Sequence, residues 1–499
     1  MSCLYHPFQN QIELVSNIKF RYWAVLMMLC LLPACGADTP PDVESPRVTV
    51  IGAGVSGLTS AKRLSEAGFS VTVLEARDRI GGRTWSHKTA TGTTLDLGAS
   101  WIHGDYPPFE NLAKELNIEL VNTDYGNLLI HDSTGNSQYL NDIDTDKLEE
   151  SLEYGVVLAN LMGATASIQD VVNSLWSMNA LSDYTREFVN FVTTAEIEVS
   201  SAASAEDITV RSYLSEIKDI LTGSDDAGDE EGVDSVEDTE EDGTEVSKNL
   251  AFPGGYNQIS DHLAEGLDIQ LNTTVLNINY GQDPLVITTS RGEINTDLVI
   301  VTVPIGVLKA GDIVFSPKLP NWKQDTIDRM GSGLLNKLYL EFPYSFWEQD
   351  PDLIGITRPE KGGLALWVNM QKLTKSPTLM AFSAGRSAIE LEALSDSEIV
   401  ERAMSRLTQA YGKDIPQPVD VVRTRWASDP FAKGSYSYES LDAGFNDESS
   451  LSRPVNARVL FAGEATAINN SANVPGAHET GLREAERIID WYPGVVKAL

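Results

Sequence analysis

Three glycines near the N-terminus have the spacing of a turn that binds a diphosphate. Gly52, Gly54 and Gly57 follow a predicted strand over 47–51 and lead into a predicted helix over 58–67. In such a turn the first glycine permits the tight bend, the second lets a diphosphate approach the backbone, and the third lets the helix pack on the sheet. The diphosphate then lies at a helix N-terminus, where unpaired N–H groups and the helix dipole favour negative charge.

A glutamate at the end of the next predicted strand completes this pattern. Glu75 follows the strand over 70–74 and lies 18 residues after Gly57, close to the spacing at which a carboxylate binds a ribose. A glycine-rich turn in an ordinary α/β protein would explain the glycines but not Glu75. The segment 81–83, Gly-Gly-Arg, offers the diphosphate a second contact, which suits a cofactor that is buried and retained. The sequence therefore predicts a dinucleotide site and favours FAD over NAD.

Several further motifs resemble those of the flavin-containing amine oxidases, which include monoamine oxidases, polyamine oxidases and flavin-dependent histone demethylases. The resemblance covers residues 47 to about 491. Its motifs are 97–104 (LGASWIHG), 252–256 (FPGGY), 301–308 (VTVPIGVL), 333–337 (GLLNK), 426–436 (WASDPFAKGSY) and 461–466 (FAGEAT). The implied fold class is α/β, with a Rossmann-like FAD-binding domain interleaved with an α+β substrate domain of sheet plus helices.

The domain prediction divides the chain into alternating segments. The FAD-binding domain is expected to comprise 47–107, 250–309 and 431–499, and the substrate domain 108–249 and 310–430. Net charge is −35, and 12 of the acidic residues lie in 225–245 without a Lys or Arg. Such a run cannot bury itself, so 224–245 is predicted to be a disordered acidic loop. Nucleic acid is not expected as a partner, because phosphate binding needs clustered Lys and Arg.

The turn, the diglycine segment and the resemblance together predict the cofactor-binding residues. They are Gly52, Ala53, Gly54, Ser56, Gly57, Glu75, Ala76, Arg77, Gly82, Arg83, Gly98, Ala99, Ser100, Trp101, Val275, Glu464, Asn473 and Val474. By resemblance Glu464 binds the ribityl chain, and the helix after it points its N-terminus at the flavin ring; the alternative for Glu464 is an exposed helix cap. Monoamine oxidases carry a cysteine bonded to the flavin where this chain has Ser435. FAD is therefore expected to be noncovalent.

Three residues are candidates for catalysis, namely Lys337, Tyr436 and Trp426. Lys337 lies in an apolar strand-like run, and the pattern alone favours an outward-facing side chain over a buried one. The resemblance implies instead that it contacts flavin N5 through a water and assists the reaction with O2. Tyr436 and Trp426 could be ordinary core aromatics. By resemblance Tyr436 forms one wall of an aromatic cage beside the flavin, and Trp426 packs near Lys337.

Substrate-binding candidates are His103, Glu198 and Asn473. His103 is either structural or, by resemblance, part of the substrate channel. Glu196 and Glu198 could bind distal ammonium groups or could lie at an exposed helix end. Asn473 replaces a second cage tyrosine, which implies a wider or more polar pocket than that of monoamine oxidases. No metal site is predicted, because the six histidines are scattered without ligand spacing.

These residues together indicate an amine oxidase of the polyamine-oxidase type. An amine, expected to be a polyamine, would lose hydride to the flavin, the imine would be hydrolysed, and O2 would be converted to H2O2. One alternative is an L-amino-acid oxidase, which would need an arginine for the substrate carboxylate. A desaturase-like isomerase would lack the Lys337 equivalent. A non-catalytic FAD-bound scaffold is the alternative from another functional class.

The N-terminus resembles a bacterial lipoprotein signal. A basic stretch over 19–21 precedes an apolar run over 22–34 that is too short for a comfortable membrane span. Residues 1–35 are therefore predicted to be a signal peptide ending at Cys35, and 36–46 a tether. A plain secretory signal and an uncleaved anchor are the alternatives. The mature enzyme would then be exported and attached to a membrane by lipid.

Cys35→Ser tests the lipoprotein prediction, because the thiol is the expected site of lipidation. We expect unprocessed precursor to accumulate and the distribution between membrane and soluble fractions to change. Immunoblots of fractionated cells give the measurement. Wild-type processing and location of the Cys35→Ser protein would contradict the prediction.

Overall fold

The computed structural model describes residues 45–143, 166–177, 183–210, 248–444 and 446–495. The predicted signal peptide and the acidic loop 224–245 lie outside these ranges. Within the described ranges, the predicted strands over 47–51 and 70–74 are found with those bounds. The first helix begins three residues earlier than predicted, at Val55.

The strands, in chain order, are β1 Arg47–Ile51, β2 Ser70–Leu74, β3 Ser86–Lys88, β4 Thr94–Asp96, β5 Trp101–His103, β6 Val121–Asn122, β7 Leu128–His131, β8 Ser137–Tyr139, β9 Asn249–Ala251, β10 Asp268–Gln270, β11 Val275–Asn279, β12 Leu285–Thr289, β13 Gly292–Thr296, β14 Leu298–Val301, β15 Val314–Ser316, β16 Gly331–Ser332, β17 Leu335–Glu341, β18 Leu353–Ile356, β19 Leu366–Asn369, β20 Thr378–Ala384, β21 Asp420–Arg423, β22 Ser437–Tyr438 and β23 Val459–Phe461.

The α-helices are α1 Val55–Glu66, α2 Pro107–Glu115, α3 Ile168–Ser177, α4 Asp183–Val192, α5 Glu198–Ser201, α6 Asn257–Ala264, α7 Ile305–Ala310, α8 Asn321–Arg329, α9 Gln371–Thr374, α10 Gly385–Glu392, α11 Asp396–Tyr411, α12 Asp447–Ser452 and α13 Val474–Trp491. A π-helical turn, Thr193–Ile197, joins α4 to α5. Short 3₁₀ turns occur at Leu140–Asp142 and Glu464–Thr466.

A five-stranded parallel sheet forms the first half of the fold. Its strand order is β10-β2-β1-β14-β23, with strands drawn from all three segments predicted to bind FAD. Strand β14 is buried along its whole length, as its apolar sequence requires in a sheet covered on both faces. Leu58 and Leu64 of α1 and Ile488 of α13 belong to one core cluster with this sheet. The predicted α/β class is confirmed.

A seven-stranded mixed sheet forms the second half. Its order is β21-β17-β20-β19-β18-β7-β8, and its strands come from both segments predicted to form the substrate domain. Ile399 and Leu407 of α11 pack in the cluster on one of its faces. A capping box between Ser395 and Glu398 starts that helix. The opposite face of the sheet contributes Tyr339 and Phe382 to the cluster beside the site described below.

Smaller sheets complete the described ranges: β13-β12-β11-β15, β5-β9-β6, and the pairs β3-β4 and β16-β22. Over these same ranges, no helix combines the length and apolar character needed to cross a membrane. Nor does any group of three or more His, Cys, Asp or Glu residues there have the arrangement of a metal site.

Candidate active site

A cavity of about 1480 Å³ lies where the two large sheets meet. Its walls include the residues that follow the carboxyl ends of the parallel strands, such as Gly52, Glu75, Thr302 and Gly463. Ligands of open α/β sheets bind at this edge. Other walls come from the seven-stranded sheet. The volume exceeds the roughly 300–1,000 Å³ of an ordinary small-molecule site, so a dinucleotide and a second molecule can share it.

The glycine turn leaves open space at the position where the diphosphate is predicted. A Cβ at Gly54 would have Gly81 O, 4.0 Å away, as its nearest contact. A Cβ at Gly57 would lie 2.0 Å from the carbonyl oxygen of Gly52, which itself has a φ of +106°. Helix α1 has no side-chain cap, and its first residues line the cavity. The turn thus presents unpaired N–H groups to an open, anion-sized space.

Glu75 is held in place by the backbone on both sides. The amides of Ala53 and Arg77 donate to its two carboxylate oxygens, each at 2.8 Å. Glu75 lines the cavity, as the ribose prediction requires. The structure does not place Ala53 and Gly57, also predicted as cofactor-binding residues, on the cavity wall. Ala53 fastens Glu75, and Gly57 packs the helix on the turn.

Glu464 connects three parts of the chain: the Gly-Gly-Arg segment 81–83, the residues just before α13, and the loop that carries Tyr436. Its carboxylate accepts from Arg83 Nη1 at 2.8 Å, Ser437 Oγ at 2.6 Å and the Ala472 amide at 3.1 Å. It is 5% exposed, so the alternative of an exposed helix cap is wrong. Asn473 precedes α13 without capping it through its side chain, and this second helix N-terminus also faces the cavity.

The cavity brings together most of the other predicted cofactor residues. Those on its walls are Gly52, Gly54, Ser56, Glu75, Ala76, Arg77, Gly82, Arg83, Gly98, Ala99, Ser100, Trp101, Val275, Glu464, Asn473 and Val474. Val275 lies in β11, far along the chain from the turn.

Lys337 is buried and faces the cavity, so the outward-facing orientation favoured by pattern alone is wrong. Its Nζ donates to the carbonyl oxygens of Asp96 at 3.1 Å and Gly98 at 2.6 Å, and to Ser100 Oγ at 2.5 Å. Burial lowers the pKa of Lys337 to about 8, although the Asp96 carboxylate acts in the opposite direction. The charged form of Lys337 is therefore less favoured than that of an exposed lysine.

The segment 96–100 holds Lys337 and Trp426 together. Trp426 Nε1 donates to the Leu97 carbonyl at 3.2 Å, next to the carbonyls that bind Lys337. The Asp96 carboxylate fastens the segment by accepting from Ser86 Oγ at 2.5 Å and the Tyr256 amide at 3.0 Å. Burial raises the pKa of Asp96 to about 6, and Lys337 opposes the shift. The predicted proximity of Trp426 to Lys337 is thus seen in the geometry.

The end of the cavity beyond Lys337 is mainly aromatic. Tyr436 lines it and donates its hydroxyl to the Val199 carbonyl. His103 also lines it, and its Nδ1 lies 2.7 Å from Asn249 Oδ1. Burial lowers the pKa of His103, and Lys337 adds to this while Asn249 opposes it, so the imidazole is neutral at physiological pH. We call this region, with Trp101 and Phe382, the aromatic end.

The structure does not place Glu198, a predicted substrate-binding residue, on the cavity wall. It is 4% exposed, accepts from the Ala205 amide at 2.9 Å and pairs with Lys361 Nζ at 2.8 Å. Glu196, two residues earlier, lines the cavity at the aromatic end. Residues two apart on a helix point in different directions, so only one of the two acids can face the cavity.

Sequence reasoning missed part of the aromatic end. The missed wall residues are Tyr125, Phe188, Phe191, Asn249 and Phe382. In sequence, Phe188 and Phe191 have the spacing of any buried helix face, and Phe382 lies in a continuously buried strand. Their pattern is that of core residues, and only the tertiary fold leaves a cavity beside them.

Comparisons with known proteins identify the family of this chain. The family model described as flavin containing amine oxidoreductase matches residues 55–489. This chain belongs to that family. Polyamine oxidase 4 of Oryza sativa subsp. japonica is 32% identical, with 88% of each chain covered. Lysine-specific histone demethylase 1 homolog 3 of Arabidopsis thaliana is also 32% identical over 91% of this chain, but the match spans only 31% of that relative's length.

Solved structures match the fold as well. A putrescine oxidase structure with bound putrescine has a TM-score of 0.70 and 21% identity, covering 89% of this chain and 99% of that chain. The family implies FAD as the cofactor, and the described residues fit it. The open space at Gly54, the fixed carboxylate of Glu75 and two helix N-termini provide for diphosphate and ribose within one cavity.

Gly54→Val tests the diphosphate position. The nearest protein atom to the new Cβ is Gly81 O at 4.0 Å, so we expect the protein to fold but to lose FAD, because the valine occupies the space for the diphosphate. Flavin absorbance after gel filtration and circular dichroism of the same sample give the two measurements. Gly444→Ala is the control, since its Cβ would make ordinary contacts outside the cavity. Full flavin occupancy in Gly54→Val would exclude this turn as the site.

Lys337→Met tests the role of the buried ammonium. The substitution keeps an unbranched side chain but removes the titrating group, so FAD should stay bound while turnover falls by roughly 10²-fold or more, the range for loss of a proton-transfer group. The pH dependence of wild-type turnover should include an ionisation near pH 8 that Lys337→Met lacks. Unchanged turnover across the pH range would remove Lys337 from the mechanism.

Proposed function

We propose that this amine oxidase acts on polyamines and that O2 is its electron acceptor, with H2O2 as product. The observation that carries the proposal is the charge of the aromatic end. Glu196 lies on its wall, and none of the described residues there is an arginine. An acid among aromatic walls attracts a cationic substrate.

Among the residues that the structure describes, two arginines line the cavity, and both are engaged at its cofactor end. Arg77 forms two hydrogen bonds with Asp429, and Arg83 pairs with Glu464. An L-amino-acid oxidase needs a positively charged partner for the substrate carboxylate. The pairing of both arginines therefore favours an amine without a carboxylate over an amino acid. Lys337 is likewise occupied by carbonyl and hydroxyl oxygens.

Bound FAD supplies the chemistry by accepting a hydride from the carbon beside the substrate nitrogen. The chain supplies binding and exclusion of water. The ring of Tyr436 attracts an ammonium group by about 0.5–2 kcal/mol. Glu196 attracts a second ammonium further along the chain of the polyamine, and the aromatic walls keep water from the reacting carbon. Lys337 Nζ holds a proton beside the region where O2 must react.

We also propose that the enzyme is exported and lipid-anchored at Cys35. The basic stretch, the short apolar run and the cysteine at its end support this location. A location outside the cytoplasm would give the enzyme access to polyamines from the surroundings and keep H2O2 away from the cytoplasm.

A substrate panel tests the proposed specificity. H2O2 release should be faster with spermine or spermidine than with benzylamine, an L-amino acid or a methyl-lysine peptide. Glu196→Gln should raise the KM for spermine about tenfold, as loss of a charge-assisted contact would, while benzylamine is unaffected. Glu198→Gln is the matched control and should leave the KM for spermine unchanged, because Glu198 does not reach the cavity.

Two outcomes would contradict the proposal. Faster turnover of an amino acid, benzylamine or a methyl-lysine peptide would overturn the substrate class. Absence of H2O2 with every amine, in protein that retains FAD, would favour a non-catalytic FAD-bound scaffold.

A further inference from the structure

The loop 427–434, between Trp426 and Ser435, is fastened by a two-point ion pair at Asp429, in addition to the more exposed pair of Lys433 with Asp312. Arg77 Nη1 and Nη2 donate to the two carboxylate oxygens of Asp429 at 2.8 and 2.7 Å. The two side chains are only 12% and 18% exposed. A planar guanidinium that matches both carboxylate oxygens fixes orientation as well as distance. The pair therefore restrains the loop more tightly than an ordinary surface ion pair.

Arg77 and Asp429 each form further hydrogen bonds that hold them in place. Arg77 comes two residues after Glu75, and its amide donates to Glu75. Asp429 organises its own loop, because its carboxylate accepts from the Phe431 amide at 2.9 Å and its carbonyl accepts from the Lys433 amide at 3.0 Å. Burial alone would raise the pKa of Asp429, but the bonds from Arg77 lower it, so the carboxylate stays ionised.

The loop covers the same end of the cavity as Glu75. Pro430 and Phe431 lie on the cavity wall, and the guanidinium carbon of Arg77 is 5.4 Å from the centre of the Phe431 ring. Asp429 itself is absent from the wall. An effect of Asp429 on a bound cofactor is therefore indirect, and Arg77 and the loop are the neighbours through which it acts by hydrogen bonds.

We propose that Asp429 is a positioning residue that latches the loop 427–434 over the ribose end of the FAD site and thereby slows release of the cofactor. A purely electrostatic effect of Asp429 on FAD binding would act in the opposite direction. Asp429 neutralises Arg77, so its removal would free a positive charge for the diphosphate and tighten binding. The direction of the change in release rate distinguishes the two effects. The proposal rests on FAD as cofactor and is independent of which amine is oxidised.

Asp429→Asn tests the latch, because asparagine keeps the size of the side chain but loses the charge and one of the two acceptor oxygens. The rate of FAD release is measured from the rise in flavin fluorescence after the holoenzyme is diluted. We expect release about tenfold faster than in the wild type, the effect of one lost charge-assisted hydrogen bond. Unchanged or slower release would overturn the proposal.

Asp297→Asn is the matched control. Asp297 forms a similar two-point pair with Arg47, at 2.9 and 3.1 Å, and neither residue lines the cavity. This variant should release FAD at the wild-type rate, and equal acceleration in both variants would overturn the latch. If Asp429→Asn purifies without FAD, its release rate is not measurable, and Phe431→Leu is the second test. It should retain FAD but release it faster, and wild-type release in Phe431→Leu would contradict a covering role for the loop.

Discussion

The burial of one ammonium group constrains the whole site. Lys337 projects from the seven-stranded sheet, and a buried charge without partners would cost several kcal/mol. Its partners are two carbonyls and a hydroxyl of the segment 96–100, which belongs to the cofactor side of the fold. Tyr339, two residues along the same strand and on the same face, donates to the Asp96 carbonyl at 2.6 Å. Hydrogen bonds thus join the seven-stranded sheet to the cofactor side of the fold at the point where chemistry is expected.

The same segment, 96–100, places the predicted catalytic residues next to the predicted cofactor-binding residues. Gly98 and Ser100 are on the cavity wall and also contact Lys337, while Leu97 holds Trp426. Loops that follow the parallel strands bring Glu75 and Glu464 to the other end of the cavity. A shift of the segment would therefore move the lysine, the tryptophan and the cofactor wall together.

The sequence predicted the parts of the fold that depend on local backbone constraints. The glycine turn, its flanking strands and Glu75 are local features, because the positive φ of Gly52 and the close approach of Gly57 to Gly52 are set within a few residues. The orientation of Lys337 was not predictable from pattern, since β17 is buried on both faces and shows no alternation. Only the family resemblance indicated a buried lysine.

The aromatic end was predicted least well. Glu196 and Glu198 are equivalent in sequence, and which one faces the cavity depends on how the π-helical turn leads into α5. The aromatic residues of α4 and β20 have the pattern of core residues. Whether they face a core or a cavity depends on how the helix and the sheet are placed in the tertiary fold, which no local pattern encodes.

The central claim is that the buried Lys337 ammonium marks the reacting end of the flavin. A crystal structure of the FAD-loaded enzyme with an unreactive polyamine analogue measures this most directly. The account predicts flavin N5 within one bridging water of Lys337 Nζ, with the analogue between the ring and Glu196. A flavin ring placed away from Lys337, or an analogue bound outside the aromatic end, would contradict it.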